Sequence, residues 1–165
     1  MKQRSLRIID IQNHEIECQC VGCAITAGEL TPPGGIIAET QNFILHQDPE
    51  IPIKGFLIVA AKRHIRSMAE LSQDEAQELF GLVYRARLAQ SRLRDIGKVT
   101  VIQEERSGHF HLWLLPRYEW MDRRFENSLS TIRDMLKYAK ENCKTPEVVQ
   151  EILASVEVLR KEITA

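Results

Sequence analysis

Two histidines spaced two apart, His109 and His111, lie in a run from residue 107 to residue 117 whose side chains alternate in character. Read as a strand, the alternation puts His109, His111 and Trp113 on one face and turns Phe110, Leu112 and Leu114 into a core. The two imidazoles then stand roughly 7 Å apart along the backbone, close enough to take different parts in one site. An imidazole titrates near neutrality and keeps a free lone pair, so it can serve as a nucleophile without a strong base to deprotonate it.

A second group of chemically competent residues lies near the start. Cys20 and Cys23 have the spacing that lets two thiolates take adjacent corners of a tetrahedral metal site, which needs two further ligands. A redox dithiol uses the same spacing, but it expects the pair to open a helix within a strand-helix-strand unit, and the segment from Ala24 to Glu29 does not read as one. Cys18 is nearer to Cys20 than a metal knuckle favours and Cys143 stands alone, so the four cysteines make a poor disulfide framework.

The elements that must position these groups can be read from apolar periodicity. Residues 1–35 hold the cysteines and end in a Pro- and Gly-rich turn, and residues 36–45 read as a hairpin around Thr40, Gln41 and Asn42. Phe56, Leu57, Ile58, Val59 and Ala60 suit a buried strand, with the basic cluster Lys62, Arg63, His64 and Arg66 at its end. Ser72 and Glu75 form a capping box that opens a long helix with Leu79, Leu82, Val83, Ala86, Leu93 and Ile96 on its apolar face, closed by Gly97. Val99 to Ile102 is a strand expected to pair with the histidine strand.

Beyond Arg117 two helices are expected. Phe125, Leu129, Ile132, Leu136 and Ala139 share one face, and Thr145 with Pro146 starts a second helix carrying Val149, Ile152, Val156, Leu159 and Ile163. Neither can bury its stripe alone, so they are expected to pack on each other, on the rest of the molecule or on a second subunit. The fold class is therefore α+β, an antiparallel sheet with a long helix and two C-terminal helices. The expected division is residues 1–117 for the sheet domain and 118–165 for a helical extension packed on it.

Length and charge bound the function. A chain of 165 residues has room for one domain with a sizeable core, and a net charge of -1 gives no electrostatic case for a nucleic acid polymer or a membrane surface. No apolar run reaches the roughly 18 residues of a membrane span, and the first residues lack the apolar core of a secretion signal, which makes a cytoplasmic protein the expectation.

The histidine strand resembles the signature of the histidine triad (HIT) superfamily: His, apolar, His, apolar, His, two apolar residues and commonly Pro-Arg. Here His109, His111, Leu114, Leu115, Pro116 and Arg117 match, while Trp113 stands at the third histidine. Cys20, Cys23, Ile25, Gly28 and Glu29 are similar to the opening motif of many bacterial members. The likeness covers residues 20–117 and implies an antiparallel HIT-like sheet, usually paired as a homodimer. It implies a structural zinc on Cys20, Cys23, His64 and His109, with His111 as the nucleophile that carries a nucleotidyl group. Asp48, seven residues before Gly55, would bind ribose hydroxyls, its other reading being an Asp-Pro turn initiator.

Phe43, Ile44 and Leu45 are candidate walls for a base, and Arg106 and Arg117 candidate phosphate clamps. Four departures from the family pattern involve five residues: Phe56 in place of His, Ala61 in place of Pro, Glu105-Arg106 in place of Gln-Ser, and Trp113, which could stack on a ligand or fill the space of a phosphate. Two functions follow, a zinc-containing HIT-like hydrolase or transferase acting on nucleotidyl phosphates, and a nucleotide-binding protein that has kept the fold and lost catalysis. A third is a zinc-stabilised interaction domain whose C-terminal helices recruit a partner.

Overall fold

The computed structural model describes residues 5–126 and 129–164. Strands β1 (Leu6–Ile9) and β2 (Glu15–Cys18) form a small antiparallel hairpin, followed by the short helix α1 (Val21–Thr26). The main sheet has five strands: β3 (Ile36–Glu39), β4 (Phe43–Gln47), β5 (Leu57–Ala61), β6 (Lys98–Gln103) and β7 (His111–Arg117), in the order β3-β4-β5-β7-β6 and antiparallel throughout. Both β4 and β5 are buried along their whole length, because the sheet is covered on both faces.

Register decides what each face carries. Ile44 pairs with Ala60 and Ala60 with His111, while His46 pairs with Ile58 and Ile58 with Trp113, so these six side chains share one face. On the other face Phe43, Leu45, Leu57, Val59, Leu112 and Leu114 form the larger core with helix α2 (Gln73–Gln90) and helix α5 (Pro146–Thr164). The alternation expected for residues 107–117 holds, although β7 itself starts at His111 and His109 lies just before it.

The capping box of Ser72 and Glu75 opens α2 as expected, but the helix stops at Gln90 rather than at Gly97. Ser91 Oγ donates to the carbonyl of Leu88 at 2.6 Å, and Asp95 takes a left-handed conformation at φ 71°, which a helix cannot continue through. Leu93 and Ile96 still reach the core, from a turn.

Among the described residues three α-helices follow β7 instead of two, α3 (Glu119–Arg124), α4 (Ile132–Asn142) and α5, with a 3-10 turn at Leu129–Thr131 leading into α4. Phe125 closes α3 and Leu129 is 73% exposed, so the stripe of the first expected helix is cut to Ile132, Leu136 and Ala139, joined by Met135. Helices α4 and α5 bury their stripes in different cores rather than against each other, α5 with α2 and β3, and α4 on the histidine face with Phe56, Leu115 and Met121. Gly34, at φ 74°, lets the turn before β3 sit on α5, where a Cβ would stand 2.7 Å from Val156. No helix among the described residues is long and apolar enough to cross a membrane.

Candidate functional site

Three separate segments bring four ligand atoms together. Cys20 caps α1 and Cys23 lies in its first turn, His64 follows β5, and His109 precedes β7. All four donor atoms lie within 4.8 Å of one another. Cys20 Sγ is 3.6 Å from His64 Nδ1 and 3.3 Å from His109 Nδ1; Cys23 Sγ is 3.2 and 3.6 Å from the same atoms, and the two Nδ1 atoms are 3.3 Å apart. A tetrahedral zinc with arms of about 2.0–2.3 Å has ligand-to-ligand edges of roughly 3.3–3.8 Å, so these residues fit that ion.

Two further features hold the cluster. His109 Nε2 donates to the Ala61 carbonyl at 2.8 Å, and because a carbonyl only accepts, the bond fixes the proton on Nε2 and leaves the Nδ1 lone pair facing the cysteines. Gly22 lies flat under the same ring: a Cβ there would stand 2.6 Å from His109 Cδ2. Burial, followed by the neighbouring Cys20, pushes Cys23 up to about 11. The expectation that Ala24 to Glu29 would not be helical is corrected, since α1 runs through Thr26.

Beside the cluster is a cavity of about 240 Å³ lined by Val21, Ile25, Ile58 and Ala60 as walls, with His46, Asp48, His109, His111 and Trp113 as its principal polar and aromatic groups. His111 Nδ1 donates to the His109 carbonyl at 3.0 Å, with Ser107 Oγ at 3.4 Å, so Nε2 keeps the lone pair. Burial holds both His111 and His109 below the ordinary imidazole value. The Trp113 indole stacks on His111 with ring centres 5.8 Å apart and planes 29° apart. Its other aromatic contact among the described residues is Phe56, edge-on at 5.6 Å, so two of the four departures from the family pattern touch and form one packing unit.

No family model matches this chain. Among curated proteins, the protein hit of Bacillus subtilis (strain 168) is 29% identical over 105 residues, which are 60% of this chain and 71% of that relative. A Zn-bound histidine triad family protein from Mycobacterium smegmatis superposes with a TM-score of 0.61 at 20% identity, over 88% of this chain and 93% of its own. A member of the HIT family from Bacillus subtilis superposes at 0.58 with 22% identity, over 84% of this chain and 94% of its own. This chain has the histidine triad fold.

Within the HIT fold, the residues singled out from sequence separate into two groups. Cys20, Cys23, His64, His109, His111, Trp113 and Asp48 are brought to one region. Asp48 Oδ1 accepts from the backbone N–H groups of Glu50 and Ile51 at 2.9 and 2.8 Å, the turn geometry of an Asp-Pro initiator, while Oδ2 has no hydrogen bond among the described residues. Desolvation lifts its pKa to about 6, against those two backbone bonds, which pull it down.

The two arginines are not brought in. Arg117 sits six residues along β7 from His111, about 20 Å away, buried and paired with Asp122 at 3.0 Å. Arg106 is exposed and does not line the cavity, and Glu105 is tied to Ser67 at 2.5 Å. Phe43, Ile44 and Leu45 are core residues; the cavity walls come from α1 and β5 instead. Sequence reasoning missed His46 and Gly22. His46 is a polar residue at an inward position of a strand, two residues before Asp48 on the same face, and that pattern was the available signal.

Proposed function

We propose that this HIT-fold protein holds a structural zinc on Cys20, Cys23, His64 and His109 and binds a nucleotidyl phosphate in the His111 cavity, transferring the nucleotidyl group through His111. The observation that carries the reading is the division of labour between neighbouring histidines: His109 turns Nδ1 toward the cysteines, and His111, with its proton held on Nδ1, offers Nε2 to the cavity. Bound zinc would hold α1, the end of β5 and the start of β7 together, so that His111 enters its strand in a fixed place. The volume of about 240 Å³ is below the roughly 300–1,000 Å³ of common ligand pockets, which suits one nucleoside with the remainder of the substrate outside.

In the proposed reaction His111 Nε2 attacks the phosphorus next to the nucleoside. The N–P bond forms, the P–O bond to the leaving group breaks, and the leaving group departs with the electron pair. Water or another acceptor then attacks the same phosphorus, releases a proton to solvent and frees His111. Trp113 has one weak indole donor and no acidic proton to give, so a leaving group that is stable as an anion is favoured. A nucleoside polyphosphate anhydride has such a leaving group, whereas a phosphoramidate releases an amine that must be protonated. Dinucleoside polyphosphates are therefore the favoured substrates, and a nucleic acid polymer is not expected.

Incubation with a dinucleoside tetraphosphate and rapid acid-free quenching should give a protein adduct of one nucleotidyl mass located on His111. Tight binding without adduct or turnover would favour the second reading, a binding protein. That reading has its own observation, because Trp113, with one indole donor and no acceptor, stacks beside His111 in the cavity at the position of the third histidine. A homodimer is part of the proposal: Phe80, Tyr84 and Leu88 are exposed at four-residue intervals along α2, a stripe suited to a second copy, and light scattering should give twice the chain mass.

A further inference from the structure

His46 is a buried titratable side chain in the wall of the cavity that the proposed reaction leaves without a task. It is 3% exposed, on β4, across from Ile58, and its ring lines the His111 cavity. Nδ1–H is spent on the Gln47 carbonyl at 2.8 Å, which fixes the proton there and leaves Nε2 as a bare lone pair. Nε2 has no hydrogen-bond partner among the described residues. With Nδ1 turned back to its own backbone, the opposite edge of the ring is the one the cavity meets.

Burial lowers the His46 pKa to about 4, despite its bond to Gln47, so at pH 7 about one ring in a thousand is protonated. A group that reluctant to take a proton is a poor general base, and it does not attract an anion. It can only accept a hydrogen bond. Phosphate oxygens are themselves acceptors at neutral pH and would face a bare lone pair. Ribose hydroxyls have the carboxylate of Asp48 at the next inward position. What remains for His46 is a flat apolar group carrying a neutral donor, among the walls supplied by Ile25, Ile58 and Ala60.

Resting on the nucleotide reading above, we infer that His46 selects a nucleobase with an exocyclic amine, such as adenine, by accepting that amine's hydrogen bond at Nε2. The cavity therefore carries two imidazoles with the same internal bond and opposite uses: His111 Nε2 for the phosphorus, His46 Nε2 for the base. A base lacking the amine leaves a buried acceptor without a donor, which costs binding.

Calorimetry with the full chain tests this, comparing adenosine 5′-monophosphate with purine riboside 5′-monophosphate, which differs only in having hydrogen for the amine. The wild-type protein should prefer the adenine ligand by at least about tenfold, and His46→Phe, which keeps a flat ring without an acceptor, should bind the two within about twofold. Equal binding of both by the wild type, which requires no variant to fold, overturns the inference and leaves the nucleotide reading standing. Discrimination that survives in His46→Phe also overturns it. Failure of the wild type to bind either nucleotide overturns the nucleotide reading and the inference with it.

Discussion

Four histidines crowd one face of this molecule, and they fall into two pairs that use opposite ring nitrogens. In His64 and His109 it is Nδ1 that turns toward the two cysteines, and for His109 the choice is made by a carbonyl that takes the Nε2 proton. In His46 and His111 a carbonyl takes the Nδ1 proton and Nε2 is left to the cavity. His109 and His111 are only two residues apart, so neither residue type nor strand position separates their chemistry. The backbone acceptor beside each ring does. A histidine's task is set by where its second nitrogen is bonded, which is a property of strand register and of the chain ends around it.

The comparison breaks most severely at the cluster. Cys20→Ser should lose bound zinc and fold stability together, by about 5 kcal/mol or roughly 10–20 °C in melting temperature, since ion binding is linked to folding. Elemental analysis and thermal unfolding of the same samples check it. Two covered cores persist without the ion, so the chain should remain folded, unlike a zinc finger. Protein purified without chelator and free of zinc would sink the assignment.

Exchange of the two neighbouring histidines is the next most damaging test. His111→Ala should retain zinc and lower turnover of a dinucleoside polyphosphate by at least about a thousandfold, because a missing nucleophile is not replaced by its neighbours. His109→Ala should lose zinc first, with activity falling as a consequence. Zinc content and rate measured side by side distinguish the two patterns. Activity surviving in His111→Ala would mean that the nucleophile lies elsewhere.

Much of this arrangement was legible in the sequence, and the reasons for the remainder are physical. Alternation exposed the faces of β7, and the capping box marked the start of α2, because both are local features. The end of α2 was not legible, since Leu93 and Ile96 keep the helical spacing while reaching the core from a turn. The stripe through Phe125 and Leu129 misled for the same reason: spacing that fits a helix does not require one. The four candidate ligands could be proposed only from a resemblance, because they come from segments about forty residues apart that only the fold brings together. Arg117 looked like a phosphate clamp in sequence and proved to be an ion-paired core residue, because distance along a strand is invisible to a motif. The inward placement of His46 two residues before Asp48 was legible, but its free Nε2 was not, because that depends on the Gln47 carbonyl taking the Nδ1 proton.

Gly22→Ala sharpens the comparison with a smaller effect. A methyl 2.6 Å from His109 Cδ2 forces the ring away from α1 without removing any ligand. Zinc affinity should fall about 10–100-fold, the usual cost of disturbing a group that orients a ligand. His111 keeps its own carbonyl bond, so the variant saturated with zinc should recover wild-type turnover. Competition with a chromogenic chelator gives the affinity, and an affinity equal to wild type would show that the ring is not held by this contact.

Asp48→Asn should change the stability of the fold only slightly, and its effects on stability and on ligand binding have opposite signs. Asp48 has a folded pKa of about 6, above its ordinary value of 3.8, because burial disfavours the charge. The folded state therefore holds the proton more tightly than the unfolded chain, so its contribution to stability is complete below pH 3.8 and is lost as pH rises through about 6. At pH 8 the carboxylate is a charge in a desolvated place, and Asn removes that charge while keeping an Oδ1 for the N–H groups of Glu50 and Ile51. The variant should then be more stable than wild type by about 1–2 kcal/mol at pH 8, after allowance for its partial exposure, with the gain vanishing at pH 4. If Oδ2 accepts ribose hydroxyls, the same variant should bind a nucleoside monophosphate more weakly by about 1–3 kcal/mol at pH 8, and wild-type affinity should itself decline as pH falls below about 6. Chemical denaturation at the two pH values and calorimetry at pH 8 measure both parts. A variant that is more stable and binds equally well would leave Asp48 as a turn residue only, and the cavity would hold its ligand through the histidine pair alone.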